Sequence, residues 1–140
     1  MSQEKMKSTV EKIFKESPVG TMATVKGNKP HSRYMLFFHR GLKLYTATNK
    51  DTDKTEEIEE NPYTHILIGY EGEGFGDEYV EYQGKVSFNH SEELKKEFWN
   101  DDMKLYFDGP DDPEYLILEI EPLQVRLMNK KGEPPQELDM

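Results

Sequence analysis

What most constrains this chain is a succession of short β-favouring runs, most of them closed by a turn signal. VGTMATVK (Val19 to Lys26) ends at Gly27-Asn28-Lys29-Pro30, and Arg40-Gly41 separates the run His31 to His39 from Leu42 to Thr48. YTHILIGYE (Tyr63 to Glu71), a run from Glu78 to about Phe88, YLILEIEP and QVRLM follow. Seven short strands, mostly joined by tight turns, predict a closed or partly open antiparallel barrel. His31 to His39 is apolar over much of its length, so it is expected to be buried on both faces.

Small helices fill the joints. Between Gln3 and Ser17, Met6, Val10, Ile13 and Phe14 recur at helical spacing among Lys and Glu, and Pro18 stops the run. Asp53 and Glu56 form a helix-start pair for a short helix ending at Asn61-Pro62. Ser91 is placed to cap SEELKKEFW, and a second helical piece is expected near Asp102 to Phe107, before the loop DGPDDP. The reading is of one domain over residues 1–128, with the polar segment 129–140 as an extended or flexible tail.

Charge narrows the partners. The 140 residues carry a net charge of -10, and the acidity is spread along the chain. Such a surface repels polyanions at long range, which argues against nucleic acid and against anionic membranes. No apolar run approaches the roughly 20 residues of a membrane span, and the N-terminus lacks a signal-peptide core. The absence of cysteine removes disulfides, thiolate metal sites and cysteine nucleophiles, and suits a reducing cytoplasm.

Few segments could carry chemistry. EGEGFGD resembles a phosphate loop in its glycines, but Asp77 stands where a dinucleotide motif needs glycine, and a strand follows instead of a helix. The four histidines show no metal spacing, and DGPDDP lacks that of a calcium loop. Arg33, at the head of YMLFF, needs a partner, since an unpaired buried guanidinium is costly. A salt bridge to a carboxylate would satisfy it. So would an anion held together with Lys50, Lys54, the hydroxyls of Thr48, Thr52 and Thr55, and a helix N-terminus. On the residues alone the two readings stay equally open.

The order VGTMATV, KPHSRYMLFF, LKLYTATNKDTDK, IEENP resembles the flavin-binding split-barrel family typified by pyridoxamine 5'-phosphate oxidase, most closely its general stress protein group. The resemblance spans about Ser17 to Met128, reinforced by FWND and YFDGPDDP. It implies a mainly β fold: a six-stranded antiparallel split β-barrel with short peripheral helices, forming a homodimer with flavin mononucleotide (FMN) in interface clefts. Arg33 through Phe38 match the oxidase's cofactor-lining strand, with Phe38 where a cation stands there. Tyr45 and Thr46 match a Tyr-Thr pair that contacts the cofactor. Lys54 matches the lysine of an Arg-Lys phosphate grip whose arginine is replaced here by Asp53. Tyr79 stands in place of a glutamine near the flavin ring.

The cofactor-binding set is Arg33, Tyr34, Met35, Leu36, Tyr45, Thr46, Thr48, Lys50, Thr52, Lys54 and Tyr79, with Trp99 either packing over a flavin across the dimer or serving as plain core or interface. Fewer phosphate-binding charges than in the oxidase leave deazaflavin or haem as alternatives to FMN. The oxidase's Trp- and Arg-bearing C-terminal substrate segment has no counterpart in RLMNKKGEPPQELDM, so the resemblance does not extend to oxidation of vitamin B6 phosphates. Redox chemistry on an unknown small substrate is what it implies, with non-catalytic flavin binding as the alternative. No residue stands out as a general acid or base.

Overall fold

The computed structural model describes residues 2–50, 53–72, 78–128 and 133–140, the side chains of 53 and 54 apart. Helix α1 (Gln3–Glu16) precedes β1 (Val19–Lys26), β2 (Lys29–Arg40), β3 (Lys43–Asn49), α2 (Asp53–Glu60), β4 (Tyr63–Ile68) and β5 (Tyr79–Asn89). Helix α3 (Glu92–Glu97), a 3-10 helix (Asp101–Leu105), β6 (Tyr115–Met128) and β7 (Gln136–Glu137) complete the chain. Pairing runs β3-β2-β1-β4-β5-β6 and returns from β6 to β3, so six antiparallel strands close into a barrel. The tight turn between β1 and β2 places Gly27 and Asn28 at φ 55 and 63, the left-handed pair that hairpin twist favours. None of the described helices is long and apolar enough to cross a membrane.

Alternation along the strands fills the interior. Met22, Phe37, Leu44, Ile66, Ile68, Val80, Tyr82, Ile120 and Leu127 point inward, and α1 adds Met6, Val10 and Phe14. Ser2 caps α1, its side chain accepting from the Lys5 N–H at 3.1 Å. A second cluster lies outside the barrel wall, where Tyr45, Tyr115 and Ile117 meet Leu94, Phe98, Met103 and Phe107 of the α3 region. Ser91 caps α3 as expected, its side chain accepting from the Leu94 N–H.

Two expectations are corrected. YLILEIEP and QVRLM are not separate strands but one continuous β6. It pairs with β3 over 115–120 and with β5 over 117–128, and the register slips where Gly84 opposes Pro122 and Gln83 opposes Gln124. A proline has no N–H to give to a ladder, and a bulge is a place where a strand tolerates one. The seventh strand is instead β7, which pairs Gln136 and Glu137 with Leu127 and Arg126. Leu138 then enters the core, and the Gln3 side chain bonds the backbone of Glu137 and Asp139. The polar tail, where described, is thus extended and docked.

The second correction concerns β2, which is not buried on both faces. Phe37 is buried, but Tyr34 is 79% and Leu36 41% exposed. The strand is apolar on two faces because one lines the barrel and the other stands uncovered on the single chain.

Candidate functional site

The candidate site arises from a local failure of strand pairing. β2 and β3 pair only from Phe37↔Thr46 to Arg40↔Lys43. Beyond that, β2 continues along β1, from Leu36↔Val19 to Lys29↔Lys26, while β3 continues along β6 through Asn49↔Tyr115. The two strands therefore fork. At the apex the Thr46 hydroxyl donates to the Leu36 carbonyl at 2.7 Å, using an acceptor that the parted ladder leaves unmet.

A cavity of about 480 Å3 lies in this fork. Tyr34, Met35, Leu36 and Phe38 of β2 form one wall, and Thr46, Ala47, Thr48 and Asn49 of β3 another. Met103, Tyr106 and Phe107, in and just after the 3-10 helix, close a third side. None of these lining residues carries a formal charge. The size and the apolar walls with a few polar groups are those of a small-molecule site. The hydroxyls and amide lie toward Asn49, where the chain leads on to α2.

The residues named from sequence divide between this cavity and other places. Tyr34, Met35, Leu36, Thr46 and Thr48 line it together. Tyr45 does not: it is buried on the outer side of the wall, its ring 5.1 Å from Phe98, which stacks on Phe38 at 4.8 Å. Burial, then the Glu119 carboxylate, pushes the Tyr45 hydroxyl pKa up, and burial pushes that of Tyr115 up to about 12. Trp99 packs on Tyr115 at 5.7 Å. Tyr79 borders an adjoining groove of about 440 Å3 with Gly20, Thr21, Leu67 and Tyr70, and Tyr34 stands between that groove and the fork. Lys50 is exposed beside a smaller cleft of about 270 Å3 that also holds Glu59 and Lys95. Thr52 and most of the glycine-rich turn (residues 73–77) lie outside the described residues, as do the side chains of Asp53 and Lys54.

Arg33 has found a carboxylate. Its Nη2 lies 3.2 Å from Oε2 of Glu57 on α2, and Nη1 donates to the Thr24 hydroxyl at 2.7 Å. The Thr24 hydroxyl donates in turn to the same Glu57 oxygen at 2.5 Å. His31 Nδ1 lies 3.9 Å from Oε1. Glu57 is buried, and the Thr24 hydrogen bond, with Arg33 assisting against desolvation, holds its carboxyl below the usual glutamate range. Nothing near Arg33 in the chain announced Glu57, since the partners are 24 residues apart. Ala47, Asn49, Met103, Tyr106 and Phe107 were likewise missed as lining residues. YFDGPDDP offered a signal for Tyr106, an aromatic at the edge of an irregular segment.

Comparison with known proteins agrees with the barrel. The family described as pyridoxamine 5'-phosphate oxidase matches residues 6–129. General stress protein 26 of Bacillus subtilis is 51% identical over 140 residues, the whole of both chains. The crystal structure of General Stress Protein 26 from Bacillus anthracis superposes with a TM-score of 0.84 at 32% identity, covering 95% of this chain and 98% of that one. Two remoter structures share the fold alone. One is an FMN-binding protein from Nostoc punctiforme (TM-score 0.66, 17% identity, 86% and 78% covered), the other a haem-binding protein from Mycobacterium smegmatis (0.75, 16%, 98% and 58%). A barrel forked between its second and third strands, matched over nearly its whole length, places this chain in the pyridoxamine 5'-phosphate oxidase family and, within it, among the general stress proteins.

Proposed function

We propose that the chain is a flavoprotein that holds FMN in the fork between β2 and β3, works as a homodimer in the cytoplasm, and serves redox chemistry on a small substrate. The observation that carries this reading is the fork itself, a cavity of about 480 Å3 with uncharged, largely apolar walls, on the two strands where the resemblance to the oxidase implies the cofactor. Such walls suit a flat heteroaromatic ring, and the Thr48 hydroxyl and Asn49 amide suit the polar chain that follows it. Bound FMN supplies hydride or single-electron transfer.

The chain's own residues would do the rest. Leu36, Phe38, Met103 and Phe107 exclude water from one side of the cavity, and Thr46, fixed by its bond to Leu36, sets the width of the fork. A homodimer is supported by the apolar strip of Val19, Tyr34, Leu36, Leu67 and Tyr70, which runs over the neighbouring strands β1, β2 and β4 and is exposed on one chain.

The test is fluorescence titration with FMN, deazaflavin and haem, on wild type and on Ala47→Leu. The larger side chain fills part of the cavity from the β3 wall. It is expected to weaken FMN binding by at least about ten-fold; because Ala47 also packs against the cluster of Tyr45, Phe98 and Phe107, the unfolding midpoint is measured alongside, and a folded variant is required for the comparison. Equal affinity in the two proteins would remove the ligand from the fork, and preference for haem or deazaflavin would replace FMN. Reduction of the bound flavin by NADPH, followed by reoxidation, separates a redox enzyme from a carrier.

A further inference from the structure

Resting on the reading that FMN lies in the fork, we propose that Arg33 is a positioning residue and not an anion ligand: through Glu57 it seats helix α2, and with it the polar end of the cavity.

Direction comes first. Side chains alternate along β2, so Arg33 leaves the strand on the face opposite Tyr34 and Leu36 and away from the exposed strip. Its guanidinium is engaged there, with Nη1 donating to Thr24 at 2.7 Å and, more weakly, to the Met22 carbonyl at 3.4 Å, and with Nη2 on Glu57 at 3.2 Å. The Glu57 side chain is 3% exposed and that of Arg33 25%. An incoming phosphate would have to displace a carboxylate that is itself buried and hydrogen-bonded by Thr24, depriving that carboxylate of its guanidinium partner.

Helix α2 needs such a tie. It has eight residues, too few to persist on its own in water. Among its described side chains only Thr55, Glu57 and Ile58 are buried. Ile58 enters the barrel core, so Glu57 is the one buried charge that α2 presents to the barrel wall. The same helix fixes the end of the fork, since the Thr55 hydroxyl donates to the Asn49 carbonyl at 3.4 Å and Asn49 lines the cavity. Loosening Glu57 therefore moves the group of atoms that a ligand's polar chain would meet.

The two roles predict opposite signs. If Arg33 bound the phosphate directly, Glu57→Gln would free it and tighten FMN. If Arg33 positions α2, the same change weakens FMN. The experiment compares wild type with Arg33→Gln, Glu57→Gln and the double variant. Two readouts are taken: hydrogen exchange of the α2 amides without ligand, and the ratio of FMN to riboflavin affinity, riboflavin being FMN without its phosphate.

Each single variant is expected to speed α2 exchange about ten-fold while leaving α1 amides nearly unchanged. The double variant should be no worse than the poorer single one, because the pair acts as a unit. The FMN-to-riboflavin ratio should fall in all three by about ten-fold. Tighter FMN in Glu57→Gln, unaltered α2 exchange, or faster exchange with an unchanged ratio would each overturn the inference. Should wild type hold no FMN, the flavin reading fails, and α2 exchange alone still decides whether Arg33 seats the helix.

Discussion

At the residue scale, Glu57 links stability to pH. Three groups face it: Arg33 of β2, Thr24 of β1 and His31 of β2. Its folded-state pKa lies below the ordinary value of 4.5, so the ionised form is the one the fold stabilises. That contribution is present in full above the ordinary value and is lost as pH falls through the lower folded value. Urea midpoints of wild type should therefore drop on acidification below about pH 4.5 more steeply than those of Glu57→Gln; parallel curves would contradict the linkage. The arginine itself illustrates how far a sequence can be read. That Arg33 needed a partner followed from a guanidinium beside YMLFF. Which partner it took did not, because a helix 24 residues away had to dock before Glu57 came within reach.

At the element scale, the barrel depends on a strand serving two neighbours at once. β6 pairs with β3 along its first half and with β5 along almost all of its length. The bulge at Gly84 and Pro122 lies just past the end of its pairing with β3. A Cβ at Gly84 would meet Ile120 Cγ2 at 2.4 Å and the Glu121 carbonyl oxygen at 3.1 Å. Gly84→Ala is thus expected to cost about 1–3 kcal/mol, read by chemical denaturation, from overpacking against the buried Ile120 and the facing strand. Pro122 explains why β6 looked like two strands: local rules end a strand at proline, and only the opposing glycine shows that the ladder resumes. The hairpin of β1 and β2, the α3 cap and the stop at Pro18 were legible because each is decided within a few residues. The fork of β2 and β3 was not, since it depends on which distant strands, β1 and β6, claim the parted edges.

At the scale of the whole molecule, a chain with a net charge of -10 nonetheless leaves valine, tyrosine and leucine side chains uncovered over three neighbouring strands. That face adjoins both the fork and the groove of Tyr70 and Tyr79, which share Tyr34. If a second copy covers it, sedimentation of wild type should give twice the mass of one chain, and Leu67→Asp, by burying a charge at the contact, should give the single chain. A wild type that sediments as one chain at all concentrations would leave the strip to another partner. The overall fold was readable because turn spacing and alternation specify a barrel, whereas the uncovered face was misread as a buried one, since apolar composition does not say what does the covering.

Flavin in the fork is decided by the visible absorbance of the protein after addition of FMN and removal of the excess. Flavin bands near one equivalent per chain, lost in Ala47→Leu, are the result expected. A protein that emerges colourless from the same treatment would contradict the account.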